Sequence, residues 1–279
     1  MIKKLAIALG LFLTAYAGSA MAATPFGGDD TGFVPPGTPK SDFSKCEDKV
    51  AQNVKTTANC LVKCHRKRAL KVSPNDTAED NCETGDPKKS CFARYQKREA
   101  SILKTSKAHP VPCPACLDSA AQDALLNGLE PLFENTNGQI YCSDGNGSYP
   151  PFGGDDTGFI PPRGSHDGVC ENAVSRGLGG RFNRPGGAIS CIFDCHRNRA
   201  KLKLGNDVAE EICEDGDPKK SCLAKYLKDI RAVHDCPACL DSFARDDLFA
   251  QFETILDGTN GGIYCASPSG AFLDGMPVL

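Results

Sequence analysis

Cys60-Leu61-Val62-Lys63-Cys64-His65 and Cys191-Ile192-Phe193-Asp194-Cys195-His196 each set two thiols one helical turn apart, with an imidazole beside the second. Residues of this kind can ligate a metal, hold a prosthetic group or close disulfides. Cys113-Pro114-Ala115-Cys116 and Cys236-Pro237-Ala238-Cys239 are close dithiols of the C-x-x-C kind, capable of redox exchange or structural bridging. Cys46, Cys82, Cys91, Cys142, Cys170, Cys213, Cys222 and Cys265 complete a set of 16 in 279 residues. Eight cysteines admit roughly a hundred connectivities, so the pairing is not read directly from spacing.

Compartment decides between these chemistries. Met1-Ile2-Lys3-Lys4, an apolar run to Ala17 and the small-x-small Ala20-Met21-Ala22 read as a signal peptide over 1–22. The expected localisation is periplasmic or secreted, where thiols oxidise and structural disulfides at all sixteen positions are the default. No stretch of the mature chain is expected to insert into a membrane. With 32 basic against 35 acidic residues there is no global field to attract nucleic acid.

The elements that carry the cysteines come twice. PFGGDDTGF at 25–33 returns at 151–159, CETGDPKKSC at 82–91 returns as CEDGDPKKSC at 213–222, and CPACLDS at 113–119 returns unchanged at 236–242. NTNGQIYC, ending at Cys142, returns as GTNGGIYC, ending at Cys265. The reading is a tandem duplication, with too few copies for a solenoid. In the first copy Cys46, Val50, Val54, Ala58, Leu61 and His65 share one helical stripe. Asp86-Pro87 and Asp217-Pro218 read as the start of a second helix, and a third begins at CPAC. The glycine- and arginine-rich insertion at 176–187 cannot continue a regular helix. Nothing reads as a strand, and the Gly/Pro-rich segments read as extended, exposed chain.

The expected fold is therefore all-α, with two tandem homologous disulfide-stapled domains, each a helical hairpin or three-helix unit. Its boundaries are a signal peptide 1–22, a Gly/Pro-rich leader 23–42, repeat 43–145, linker 146–166, repeat 167–267 and tail 268–279. Antiparallel packing of the first two helices would join Cys60 or Cys64 to Cys82 or Cys91. Cys46 would then bond one cysteine of its CPAC pair and Cys142 the other.

On these spacings the chain resembles cysteine-rich secreted bacterial helical repeat proteins, a resemblance that implies no activity. C-x-x-x-C-H also resembles a variant of the c-type haem motif. That resemblance implies one covalent haem per copy, on Cys60, Cys64 and His65 and on Cys191, Cys195 and His196, with His109 or His234 as a distal ligand and electron transfer as the function. CPAC resembles the active site of thioredoxin-like thiol-disulfide oxidoreductases, but the strands of that fold are not apparent.

Other motifs give little chemistry. The acidic stretch Asp76, Glu79, Asp80 and Glu83, mirrored by Asp207, Glu210, Glu211 and Glu214, lacks the alternating spacing and central glycine of a calcium loop. Oxidation competes with zinc for every thiol, so no metal is expected. The basic cluster Lys63, His65, Arg66, Lys67, Arg68 and Lys71, with Arg197, Arg199, Lys201 and Lys203 in the second copy, complements a helix C-terminus, although it could hold a polyanion or an anionic glycan. There is no G-x-S-x-G, H-E-x-x-H or phosphate-binding loop, so no catalytic residue is assigned. The expected function is an exported structural or binding module without a cofactor, its partner a protein or glycan at the cell surface.

Overall fold

A computed structural model describes residues 25–35, 41–73, 75–104, 113–180, 186–231, 233–234 and 236–266. Helix α1, Asp42–Ala69, opens on Ser41, whose Oγ accepts from the Ser44 amide at 3.2 Å. Its 28 residues are buried on nearly every side, because α1 packs against both halves of the chain. The expected stripe from Cys46 through Val50, Val54, Ala58 and Leu61 to His65 lies in the core. The short α2, Asp76–Asp80, runs into a π-helical turn at Asn81–Gly85, then α3, Cys91–Leu103. After a 3-10 turn at Ala115–Leu117, α4 spans Ser119–Ile140.

The C-terminal half repeats this order. α5, His166–Gly179, and α6, Ala188–Ala200, correspond to one interrupted α1; α7, Asp207–Glu211, leads into a π turn at Ile212–Gly216. α8, Cys222–Ile230, a 3-10 turn at Ala238–Leu240 and α9, Ser242–Ile263, follow. The break between α5 and α6 falls at the glycine-rich insertion. Gly180 has φ +74° and a Cβ there would meet the Gly186 carbonyl, so the chain turns where only glycine fits. The second helix of each half starts later than the Asp-Pro pair suggests. Asp86 Oδ1 accepts from the amides of Lys88 and Lys89, as Asp217 does from Lys219 and Lys220. These turns stand ahead of the true N-caps, Ser90 and Ser221. The third helix likewise starts after CPAC, capped by Asp118 and Asp241.

The Gly/Pro-rich leader and linker are not exposed chain throughout. Each contains a two-stranded antiparallel hairpin: β1, Pro25–Gly27, with β2, Asp30–Phe33, and β3, Pro151–Gly153, with β4, Asp156–Phe159. Phe26 and Phe152 are each only 1% exposed. β2 packs on α9 and β4 on α4, so the chain's first hairpin completes the C-terminal half and the second hairpin completes the N-terminal half. Thr31 Oγ1 donates to the Asp257 carbonyl and accepts from the Gly261 amide; Thr157 makes the same pair of bonds with Glu134 and Gly138. Strands of three or four residues are too short to show an alternating pattern, and these partners lie on distant helices.

All sixteen cysteines are paired. Cys46–Cys113, Cys60–Cys91 and Cys64–Cys82 close the N-terminal half, and Cys170–Cys236, Cys191–Cys222 and Cys195–Cys213 close the other. Cys142 departs from expectation: it bonds Cys239, while Cys116 bonds Cys265. The reason is length. α4 has 22 residues and is about 33 Å long, so cysteines beyond its two ends cannot approach within the roughly 7 Å between Cα atoms that a disulfide allows. α9 lies against α4 with Phe252 and Phe133 rings 5.3 Å apart, and each helix end meets the opposite end of its neighbour. Among the described residues, no helix is long and apolar enough to cross a membrane.

Candidate metal centres

His65 directly follows Cys64, and Glu83 directly follows Cys82. The Cys64–Cys82 bond ties α1 to the π turn and brings the two following side chains together, His65 Nε2 standing 3.0 Å from Glu83 Oε1. The wide turn at Asn81–Gly85 is the kind of local irregularity that re-aims a side chain. β4 adds Asp156, its Oδ1 3.1 Å from the same nitrogen. The other half repeats the set through Cys195–Cys213: His196 Nε2 faces Glu214 Oε1 at 3.0 Å, Asp257 Oδ1 at 3.1 Å and Asp30 Oδ1 at 3.3 Å. Asp156 and Asp30 come from the hairpins, so neither centre is complete without a segment remote from its helices.

A ring nitrogen carries at most one hydrogen, and Nε2 of His196 cannot donate to three carboxylates at once. Two ligand atoms each about 2.1 Å from one cation and at right angles stand about 3.0 Å apart. The observed separations have that size, and the ligand atoms of His65, Glu83 and Asp156, like those of His196, Glu214 and Asp30, lie within 4.8 Å of one another. All these side chains are at most 5% exposed.

More carboxylates stand behind this layer than hydrogen bonds can satisfy. Glu79 and Glu210 are fully buried, and the group each meets is another carboxyl, Asp156 for Glu79 and Asp30 for Glu210, a pair that bonds only while one member keeps its proton. Burial holds both far above the usual carboxylate range, and the charges of Asp156 and Asp30 respectively push the same way. Burial, with neighbouring acids adding to it, also pushes Glu134 up to about 8, Glu253 to about 8 and Glu130 to about 7. Burial would lower the His65 and His196 imidazoles, but Glu83 with Asp156, and Glu214 with Asp257 and Asp30, outweigh it and hold both well above the ordinary value. Buried ionised groups without partners are costly, and a cation is the partner that would satisfy several at once.

The cysteine motifs are otherwise engaged. Cys60, Cys64, Cys191 and Cys195, the residues a haem would need for thioethers, all bond other cysteines, and their histidines face carboxylates. Neither CPAC pair closes on itself. Cys113 and Cys116 bond Cys46 and Cys265; Cys236 and Cys239 bond Cys170 and Cys142. His109 lies outside the described residues. Sequence reading singled out both histidines and the acidic stretches but not their union with Asp156, Asp30 and Asp257. The legible signal was the doubled pairing of Cys-His with Cys-Glu, together with the Asp-Asp of each GGDDTGF segment.

Fold and site together define a mostly helical, fully disulfide-bonded chain with two matching His–carboxylate clusters. Compared with known proteins, the chain matches no family model, no curated protein and no solved structure.

Proposed function

We propose that this chain is an exported, internally duplicated binding module without catalytic activity that holds a divalent first-row cation in each half. The convergence of three carboxylate oxygens on His196 Nε2, repeated in outline at His65, carries this reading. One imidazole among several carboxylates favours Mn²⁺ or Fe²⁺ over Ca²⁺, which takes oxygen alone, and over sulfur-rich zinc sites. Disulfides at every cysteine suit an oxidising compartment, as does the basic, apolar and small-residue order of 1–22. The duplication accounts for the matched pairs Cys64–Cys82 with Cys195–Cys213, and His65 with His196.

Metal analysis after chelation and reloading with Mn²⁺ tests the proposal. The expected result is one ion per half and a higher Tm, with His65→Ala losing one ion and keeping the other. Wild-type protein that retains no Mn²⁺, Zn²⁺ or Ca²⁺ and shows no change in Tm would overturn it.

A further inference from the structure

Beside the Cys60–Cys91 and Cys64–Cys82 disulfides, a cleft of about 330 Å³ is walled by α1, the π turn at Cys82, Arg94 of α3 and Ser190 of α6. Four cations line it, Lys55, Lys63, Lys67 and Arg94, and no carboxylate does. Lys55 is held by Asp194 at 2.8 Å, and Arg94 turns back to its own chain at the Lys89 carbonyl. Among the described residues, neither Lys63 nor Lys67 has a carboxylate within ion-pairing distance; Lys67 Nζ lies 3.6 Å from Cys82 Sγ. Burial pulls the Lys63 ammonium below its usual value, and the neighbouring charges of Arg66 and Lys67 push the same way.

The other half shows that this charge is not a requirement of the fold. With the shared cysteines aligned, Lys63, Lys67 and Arg94 correspond to Asp194, Asn198 and Lys225, which line a separate cleft of mixed sign. The metal ligands match in kind between the halves, whereas Lys63 and Lys67 give way to Asp194 and Asn198; of the three positions only that of Arg94 stays basic, as Lys225. A stapled helix that carries Asp194 in one half has no structural need for Lys63 in the other.

We propose that the cleft at Lys63 and Lys67 binds a small phosphorylated or sulfated organic molecule of about monosaccharide size. The two lysines meet the oxyanion; Gln52 and Thr56 at the wall bond each other, with Gln52 Oε1 also accepting from Arg197, and present a polar surface to a sugar-like body. The volume stands at the lower end of small-ligand sites, which start near about 300 Å³. This inference does not depend on metal in either centre.

Calorimetric titration with glucose 6-phosphate, glucose 6-sulfate, inorganic phosphate and glucose tests it on the full disulfide-bonded chain. Expected are saturable binding of at least one ester at one site, tighter than inorganic phosphate, no binding of glucose, and weakening between about 50 mM and about 500 mM NaCl. The variant Lys63→Asp/Lys67→Asn takes the residues the other half already uses and should weaken ester binding at least about tenfold. Circular dichroism and an intact mass with all disulfides closed confirm that the variant folds. Absence of ester binding, inorganic phosphate binding as tightly as the esters, or ester binding unchanged in the folded variant would each overturn the proposal.

Discussion

Glu47 and Glu171 show what a single buried acid does in this chain. Each lies fully buried on the first helix of its half and reaches the irregular chain just past a crossing disulfide. Glu47 Oε1 accepts from the Ala266 amide at 3.4 Å, and Glu171 Oε1 from the Ser143 amide at 2.9 Å. Burial pushes Glu47 up to about 8 and Glu171 to about 7, against an ordinary 4.5, and amide bonds, one at Glu47 and two at Glu171, pull back only part of the way. Between about 4.5 and about 8 the folded chain keeps a proton on Glu47 that the unfolded chain has released, so stability falls as pH rises through that window. Glu47→Gln keeps an acceptor and removes the titration. Thermal unfolding should show it close to wild type near pH 4.5 and more stable at pH 8, by an amount on the order of 1–3 kcal/mol. The same Tm difference at both pH values would mean that Glu47 does not carry this dependence. Residue types of this kind are visible in sequence, but their burial is not: Glu47 stands among Asp42, Lys45, Asp48 and Lys49 and reads as part of a solvated face.

At the scale of elements, the helices were legible and the hairpins were not. The three- and four-residue steps from Cys46 to His65 announce α1, and the glycine-rich insertion announces the break between α5 and α6. The sequence puts the helix starts a few residues early because Asp-Pro and CPAC resemble caps, whereas Ser90, Ser221, Asp118 and Asp241 make the capping bonds. The hairpins escape local reading because what orders them is remote: Phe26 stacks on Tyr264 at 5.0 Å, and Phe33 donates its amide to the Tyr264 carbonyl. They matter for the centres because β2 and β4 deliver Asp30 and Asp156. Phe26→Ala removes a ring that is 1% exposed, at a cost of about 3–5 kcal/mol for a buried phenylalanine, and should loosen β2. The expected outcome is weaker Mn²⁺ binding at the His196 centre alone, with the His65 centre, completed by the other hairpin, unchanged. Equal weakening at both centres would show that the two hairpins do not serve separate sites.

At the scale of the whole molecule, the repeat in the sequence suggests two beads on a string, and the chain instead exchanges parts. Each half lends a hairpin to the other, and α1 lies against α5 and α6 as well as α3 and α4. Arg197 of α6 and Lys201 at its C-cap both reach Asp48 on α1, at 2.8 and 2.6 Å. The crossing pairs Cys116–Cys265 and Cys142–Cys239 then close loops of 149 and 97 residues in sequence separation. Spacing alone could not show this, because the matching cysteine spacings of the two halves offer each cysteine a local partner as well as a crossing one. Only the length of α4 and its alignment along α9 decide against the local choice. Proteolytic cutting in the exposed turn at residues 144–148 provides the test. Without reductant the two fragments should remain one covalent species by mass, and they should separate only once disulfides are reduced. Peptide mapping should recover Cys116 with Cys265 and Cys142 with Cys239, whereas recovery of Cys116 with Cys142 would restore two independent domains. Long closed loops restrict the unfolded chain most, by about 5 kcal/mol each on the chain-entropy account. Cys116→Ser/Cys265→Ser should therefore lower Tm by several degrees while all six remaining intra-half bonds form, and a Tm equal to wild type would show that packing of α4 on α9 suffices without the bridge.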